Sequence, residues 1–145
     1  MRIPTKVECG IIALVDIAIH SKTEISVNVM NISKRNGISP KYLEQILPLL
    51  RNSNIINSVK GAKGGYVLSR PPEKISLFEI INAIDNSIIC NTSVCYENSI
   101  SETINEYCWS VMEGKLREFA ENTSLSDIVD RCNERTQSQE IMYYI

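Results

Sequence analysis

The chain of 145 residues is short of several things that define common protein classes. No apolar run approaches the ~18 residues that a membrane-spanning helix needs. The opening Met1-Arg2-Ile3-Pro4-Thr5-Lys6 has no apolar core and no small-residue cleavage site, so no signal peptide is expected and a cytoplasmic location is. Histidine occurs once, at His20, which leaves a mononuclear Cys/His zinc site with few ligands. The five cysteines, Cys9, Cys90, Cys95, Cys108 and Cys132, form no CxxC pair. Their odd number, without a secretory signal, speaks against a disulfide scaffold. No nucleophile–base pair is apparent, and the glycine-rich turn at Gly61–Gly65 lacks the G-K-[S/T] of a phosphate loop, so an enzyme is not expected. No internal repeat or low-complexity segment occurs.

What is present is a split charge. The net charge of −2 and a pI near 5.5 look unfavourable for a nucleic-acid partner. Residues 31–74, however, carry eight basic groups (Lys34, Arg35, Lys41, Arg51, Lys60, Lys63, Arg70, Lys74) against Glu44 and Glu73, a local charge of +6. Residues 75–145 carry four basic groups against twelve acidic, −8, and residues 1–30 are balanced. A basic block ahead of an acidic one points to a local electrostatic role.

The chain up to the end of the basic block has a recognisable order of elements. Thr5-Lys6-Val7-Glu8 has the form of a capping box ahead of a nearly all-apolar helix from Val7 to Ile19. A second helix is expected over about Val27–Asn36, closed by the Asn36-Gly37 turn. Ser39-Pro40 opens a third, with Leu43, Ile46, Leu47 and Leu50 facing the core and a kink or early end at Pro48. Ile55–Val59 and Tyr66–Leu68 flank the turn Lys60–Gly65 as a β-hairpin, ended by Arg70-Pro71-Pro72.

Beyond the hairpin, Ser76–Glu79 caps a helix to about Asp85, and Asn86–Ser99 is a polar loop holding Cys90 and Cys95. Ile104, Cys108, Met112 (or Val111), Leu116 and Phe119 stripe a long helix over about Ser99–Asn122, either a dimer contact or a helix packed on its own domain. A last short helix, capped at Ser124, is expected to reach about Cys132, leaving a tail. The expected organisation is a DNA-binding domain over 1–85, a cysteine-bearing loop over 86–99, a dimerisation helix and short terminal helix over 100–132, and a tail over 133–145. The fold class is mainly α with a small β-hairpin, a winged helix-turn-helix plus a long dimerisation helix.

In a winged helix-turn-helix, the second helix braces the third, whose outer face enters the major groove while the wing lies on adjacent backbone. Ser39, Lys41, Tyr42 and Gln45 lie at the start and outer side of the third helix, where base edges and phosphates come within reach. Lys60 and Lys63 at the wing tip can neutralise phosphates, and Arg70 belongs to the same footprint. A winged helix that binds another protein instead of an operator is the alternative.

Ser39-Pro40-Lys41-Tyr42-Leu43-Glu44-Gln45-Ile46-Leu47 followed by Val59-Lys60-Gly61-Ala62-Lys63-Gly64-Gly65-Tyr66-Val67-Leu68 resembles the IscR/NsrR/CymR-like family of bacterial winged-helix regulators. The likeness runs from Met1 to about Asp85 and more loosely to Asp130, with Pro48 departing from the more usual polar residue. It implies a homodimer with swapped long helices on double-stranded, palindromic operator DNA, and a repressor as the expected mode. It also implies base contacts from Ser39, Tyr42 and Gln45 and wing contacts from Lys60 and Lys63. Many members hold an iron–sulfur cluster on three loop cysteines and a fourth ligand from the partner's first helix. Cys90 and Cys95 match the first two positions, Cys108 lies beyond the expected third, and Glu8 lies near the fourth. Thiolates suit such a cluster. Glu8 as a capping partner, Cys108 as a core residue, and a cluster-free thiol switch between Cys90 and Cys95 stay open. Cys9 and Cys132 read as structural, and His20 as a helix-end cap.

Overall fold

A computed structural model describes residues 1–89 and 96–144. Its central element is α1, Thr5–His20, with Ala13, Leu14 and Ile17 wholly buried. The chain enters this helix through Pro4, whose carbonyl accepts from the amides of Val7 and Glu8 at 3.0 and 3.2 Å. Thr5 is therefore already helical and makes no side-chain cap, so the expected Thr5–Glu8 box does not form and Glu8 is left exposed.

α2 (Val29–Asn36) and α3 (Pro40–Asn52) complete a helix-turn-helix. Asn28 caps α2, its side chain accepting from the Asn31 amide at 2.8 Å. Val27 is not in the helix because it exchanges two backbone hydrogen bonds with Tyr66, at 2.9 and 2.8 Å. Gly37 closes α2 at φ 67°, a left-handed conformation that glycine adopts without cost. Ser39 caps α3 by accepting the Tyr42 amide at 3.1 Å, with Pro40 at the first helical position. Of the kink or early end expected at Pro48, the early end does not occur, and α3 runs on to Asn52. Leu43, Ile46, Leu47 and Leu50 are all fully buried, and that packing outweighs the single lost hydrogen bond.

Strands β1 (Ile56–Val59) and β2 (Gly65–Leu68) pair antiparallel, Ile56 opposite Leu68 and Val59 opposite Gly65. The Val27–Tyr66 bridge extends this wing on its other edge. α4 (Leu77–Ile84) begins in the expected capping box, Ser76 and Glu79 satisfying each other's backbone amides.

The second half packs back on this base. α5 (Ser99–Ile104), a π turn over Asn105–Trp109 and α6 (Ser110–Asn122) follow one another without a break, as the sequence predicts for one long helix. Its end is tied down where the Leu77 amide donates to Thr123 and the Leu125 amide to Ile75, both at 2.8 Å. α7, capped by reciprocal Ser124–Asp127 bonds at 3.1 and 2.8 Å, spans Leu125–Tyr144. The expected stop near Cys132 and the tail beyond it are thus corrected. No glycine or proline stands between 133 and 144 to end the helix.

Candidate nucleic-acid interface and sensor region

The outer surface of α3 presents Ser39, Lys41, Glu44 and Gln45 to solvent, while Tyr42 is half-buried with its ring against the core. One turn brings both the Ser39 cap and the outward Lys41 to the start of the helix, where a major groove would be entered. The opposite face is a continuous apolar row, so the orientation of the reading face is fixed by burial.

The wing tip is held through its own backbone, leaving its own side chains free of that task. Gly61 takes φ 110°, its carbonyl accepts the Gly64 amide at 2.9 Å, and the Ser26 hydroxyl donates to the Lys63 carbonyl. Both lysine side chains, Lys60 and Lys63, remain exposed. Arg70 is differently placed from the expectation. Its Nη2 meets Glu79 Oε1 at 2.5 Å and its Nε donates to the Lys74 carbonyl at 3.2 Å, so its charge is spent inside the domain. Glu79 is the partner that holds it. Burial raises the Glu79 carboxyl, but the Ser76 amide and hydroxyl and the Arg70 guanidinium outweigh that and hold it below the usual carboxylate range.

A polar cluster behind the reading head escaped the reading of the sequence. Asp16, 6% exposed, accepts from Arg35 Nε at 2.9 Å, Arg35 Nη2 at 2.7 Å and Asn36 Nδ2 at 2.8 Å. Burial raises its carboxyl, and the hydrogen bonds of Arg35 and Asn36 with the charges of Arg35 and His20 override this and lower it. His20 Nδ1 lies 2.9 Å from the Asp16 carbonyl at the end of α1, as a helix-end cap should. The available signal was one carboxylate in the otherwise apolar stretch Ile11–Ile19.

Of the proposed metal ligands, Cys90 and Cys95 lie outside the described residues. Glu8 and Cys108 are both exposed, which removes Cys108 from a core role. Among the described residues no group of three or more His, Cys, Asp or Glu is placed to hold a metal, so these residues alone do not make a cluster site. Cys9 and Cys132 are half-buried, and burial, with the Glu8 charge, pushes the Cys9 thiol up. The long helix carries its apolar residues outward: Trp109, Met112 and Phe119 are 54%, 56% and 64% exposed.

A capped reading helix followed by a glycine-turned basic wing defines a winged-helix DNA-binding regulator. The family described as "Rrf2: Iron-dependent Transcriptional regulator" matches residues 3–131, and the chain belongs to it. It is a transcriptional regulator of the IscR/CymR type, a non-enzymatic function. IscR of Xenorhabdus nematophila is 33% identical over 146 residues, covering 90% of this chain and 86% of that one. The global cysteine regulator CymR of B. subtilis superposes with a TM-score of 0.79 at 27% identity, covering 90% and 98% of the two chains. T. potens IscR gives 0.76 at 29% identity over 99% and 97%. Among the described residues no helix is long and apolar enough to cross a membrane.

Proposed function

We propose that the chain is a cytoplasmic, homodimeric repressor that binds palindromic operator DNA, with an iron–sulfur cluster controlling its operator affinity. The observation that carries the DNA half is the outward Ser39, Lys41 and Gln45 of α3 beside the exposed Lys60 and Lys63 of the wing. In this reading α3 lies in the major groove with Gln45 and the solvent edge of the half-buried Tyr42 toward base edges, and the two wing lysines reach the neighbouring backbone. Arg70 acts indirectly, through Glu79 and the base of the wing. Residues 1–85 are the reading domain, 86–99 the sensing loop and 100–132 the dimerisation region.

The homodimer is supported by the outward apolar face of the long helix. Its half-buried positions include Glu113 and Arg117, while Trp109 and Met112 stand in solvent and Leu116 and Phe119 line an open apolar groove with Val7, Ile11 and Ile81. A second copy is the natural cover for such a face. Two reading helices in a dimer must stand about one helical turn of DNA, ~34 Å, apart.

The cluster reading rests on the family description, on the IscR relatives, and on four candidate donors, Cys90, Cys95, Cys108 and Glu8. When bound, the cluster would supply an oxidation-sensitive tether between the 86–99 loop, the dimer helix and the partner's first helix. Glu8, freed of a capping role and exposed, is suited to be a weak, displaceable ligand. Anaerobic purification tests this: a brown protein whose iron and visible absorption disappear in Cys90→Ala is expected, and a colourless, iron-free wild type would refute it. The second reading is a thiol switch between Cys90 and Cys95, favoured by the likeness to the oxidized form of Staphylococcus aureus CymR, 31% identical with a TM-score of 0.71. Thiol titration before and after mild oxidation separates the two.

A further inference from the structure

We propose that Asp16 is a positioning residue for DNA reading: its carboxylate sets the angle of the helix-turn-helix elbow, and operator discrimination depends on it. The inference rests on the assignment of α3 as the reading helix.

The case begins with how little else holds α2. Of its eight residues only Ile32 is buried. Ile32 and the half-buried Val29 beside it anchor the first turn of this short helix on the core, which leaves its last turn free to swing. The three donors on Asp16 remove that freedom. Arg35 grips both carboxylate oxygens in the bidentate fork geometry, and Asn36 adds a third bond while also donating to the Ile32 carbonyl at 2.9 Å. These residues are the last two of α2, directly ahead of the left-handed Gly37 that turns the chain into α3. Whatever fixes Arg35 and Asn36 fixes the starting direction of the reading helix.

The chemistry is also an odd choice if stability were all that mattered. Asp16 is the only charged side chain buried among the described residues, and Ala13, Leu14 and Ile17 around it are all apolar. Burying an ion pair stabilises little compared with apolar residues of the same volume, because desolvation offsets the attraction. What a forked pair provides is direction, since its hydrogen bonds are satisfied in one arrangement and broken in its neighbours. Arg35 itself keeps part of its side chain in solvent, so the tie closes from the surface inward.

The test uses the full-length protein and two probes. One is a duplex enriched by the wild type from a randomised pool, the other is poly(dI-dC). We expect Asp16→Asn and Arg35→Gln each to weaken binding to the selected duplex about tenfold, and the double variant to be no weaker than either, because one interaction is being removed twice. Binding to poly(dI-dC) and the salt slope on it should stay as in the wild type, since phosphate contacts are untouched. Asn36→Ala, which removes one surface donor, should cost about threefold on the selected duplex alone. Should Asp16→Asn melt below the assay temperature, Arg35→Gln and Asn36→Ala carry the test. An unchanged ratio of selected to non-specific affinity in those two variants overturns the proposal. So does a salt slope lowered by about one in Arg35→Gln, which would make Arg35 a phosphate contact. A wild type that enriches no duplex sinks the reading-helix assignment itself, and this proposal with it.

Discussion

Gly65 lies against the backbone of Val27 so closely that a Cβ on it would stand 2.4 Å from the Val27 carbonyl oxygen and 2.8 Å from the Asn28 nitrogen. Both of those atoms are backbone, and the same residues carry the Val27–Tyr66 hydrogen bonds that attach the wing to the α1–α2 connection. Substitution by alanine must break that attachment. Gly65→Ala should lower stability by about 1–3 kcal/mol, as overpacking against fixed atoms does, and weaken DNA binding further than the stability loss explains. Urea unfolding and duplex titration on one preparation check this. A variant with wild-type stability and affinity would show that the wing does not depend on the contact.

Lys60 and Lys63 predict a different signature, because their side chains touch nothing that the fold needs. Replacing both with alanine should leave the unfolding midpoint unchanged and weaken binding to all duplexes alike. The slope of log affinity against log salt should become shallower by about two. Arg70→Ala, by contrast, should act mainly through stability, since it strips Glu79 of its partner.

That contrast shows where sequence reasoning reaches and where it stops. Ser39-Pro40 and the apolar row Leu43–Leu50 specify a helix start and a buried face through local chemistry, and both are found as expected. The wing follows from β-branched residues around glycines. Arg70 and Arg35 are indistinguishable from Lys60 in a sequence, because whether a cation meets water or a carboxylate depends on residues 9 and 19 positions away. The Thr5 box fails for a smaller reason: Pro4 starts the helix one residue sooner. The helical course of residues 133–144 had no apolar periodicity to announce it.

Glu79 makes stability depend on acidity in a stated direction. Its carboxyl is lower in the folded chain than the ~4.3 of an unfolded glutamate, so it contributes stability above that value and loses it as pH falls through the folded one. Glu79→Gln should therefore be less stable than wild type near neutrality, with the gap closing as pH falls below the unfolded value and through the folded one. Chemical denaturation at a series of pH values reads this directly. A gap that stays constant with pH would mean that the ionised form is not what matters.

The outward face of the long helix predicts the oligomeric state. Met112→Asp with Phe119→Asp should turn a dimer into a folded monomer on sedimentation, and affinity for a palindromic duplex should fall by at least about a hundredfold as the second half-site is lost. Trp109 is the only tryptophan and sits on that face, so its emission should move to longer wavelength in the same variant. Dimer retained with unchanged emission would place the interface elsewhere.

The π turn at Asn105–Trp109 has an arithmetic consequence for this helix. A π turn holds one residue more than an α turn, and each residue of helix rotates the next by about 100°. Counting by a constant period from Ile104 therefore lands on Cys108, whereas the face leading on to Met112 and Leu116 is met one residue later, at Trp109. The extra residue makes α5 and α6 two separately phased surfaces on a single rod. Deleting one residue of the turn itself, such as Tyr107, should let the rod close into a regular α-helix with Ile104, Trp109 and Met112 still on one face, whereas deleting a residue of regular helix on either side should turn one surface against the other by roughly a quarter of a revolution.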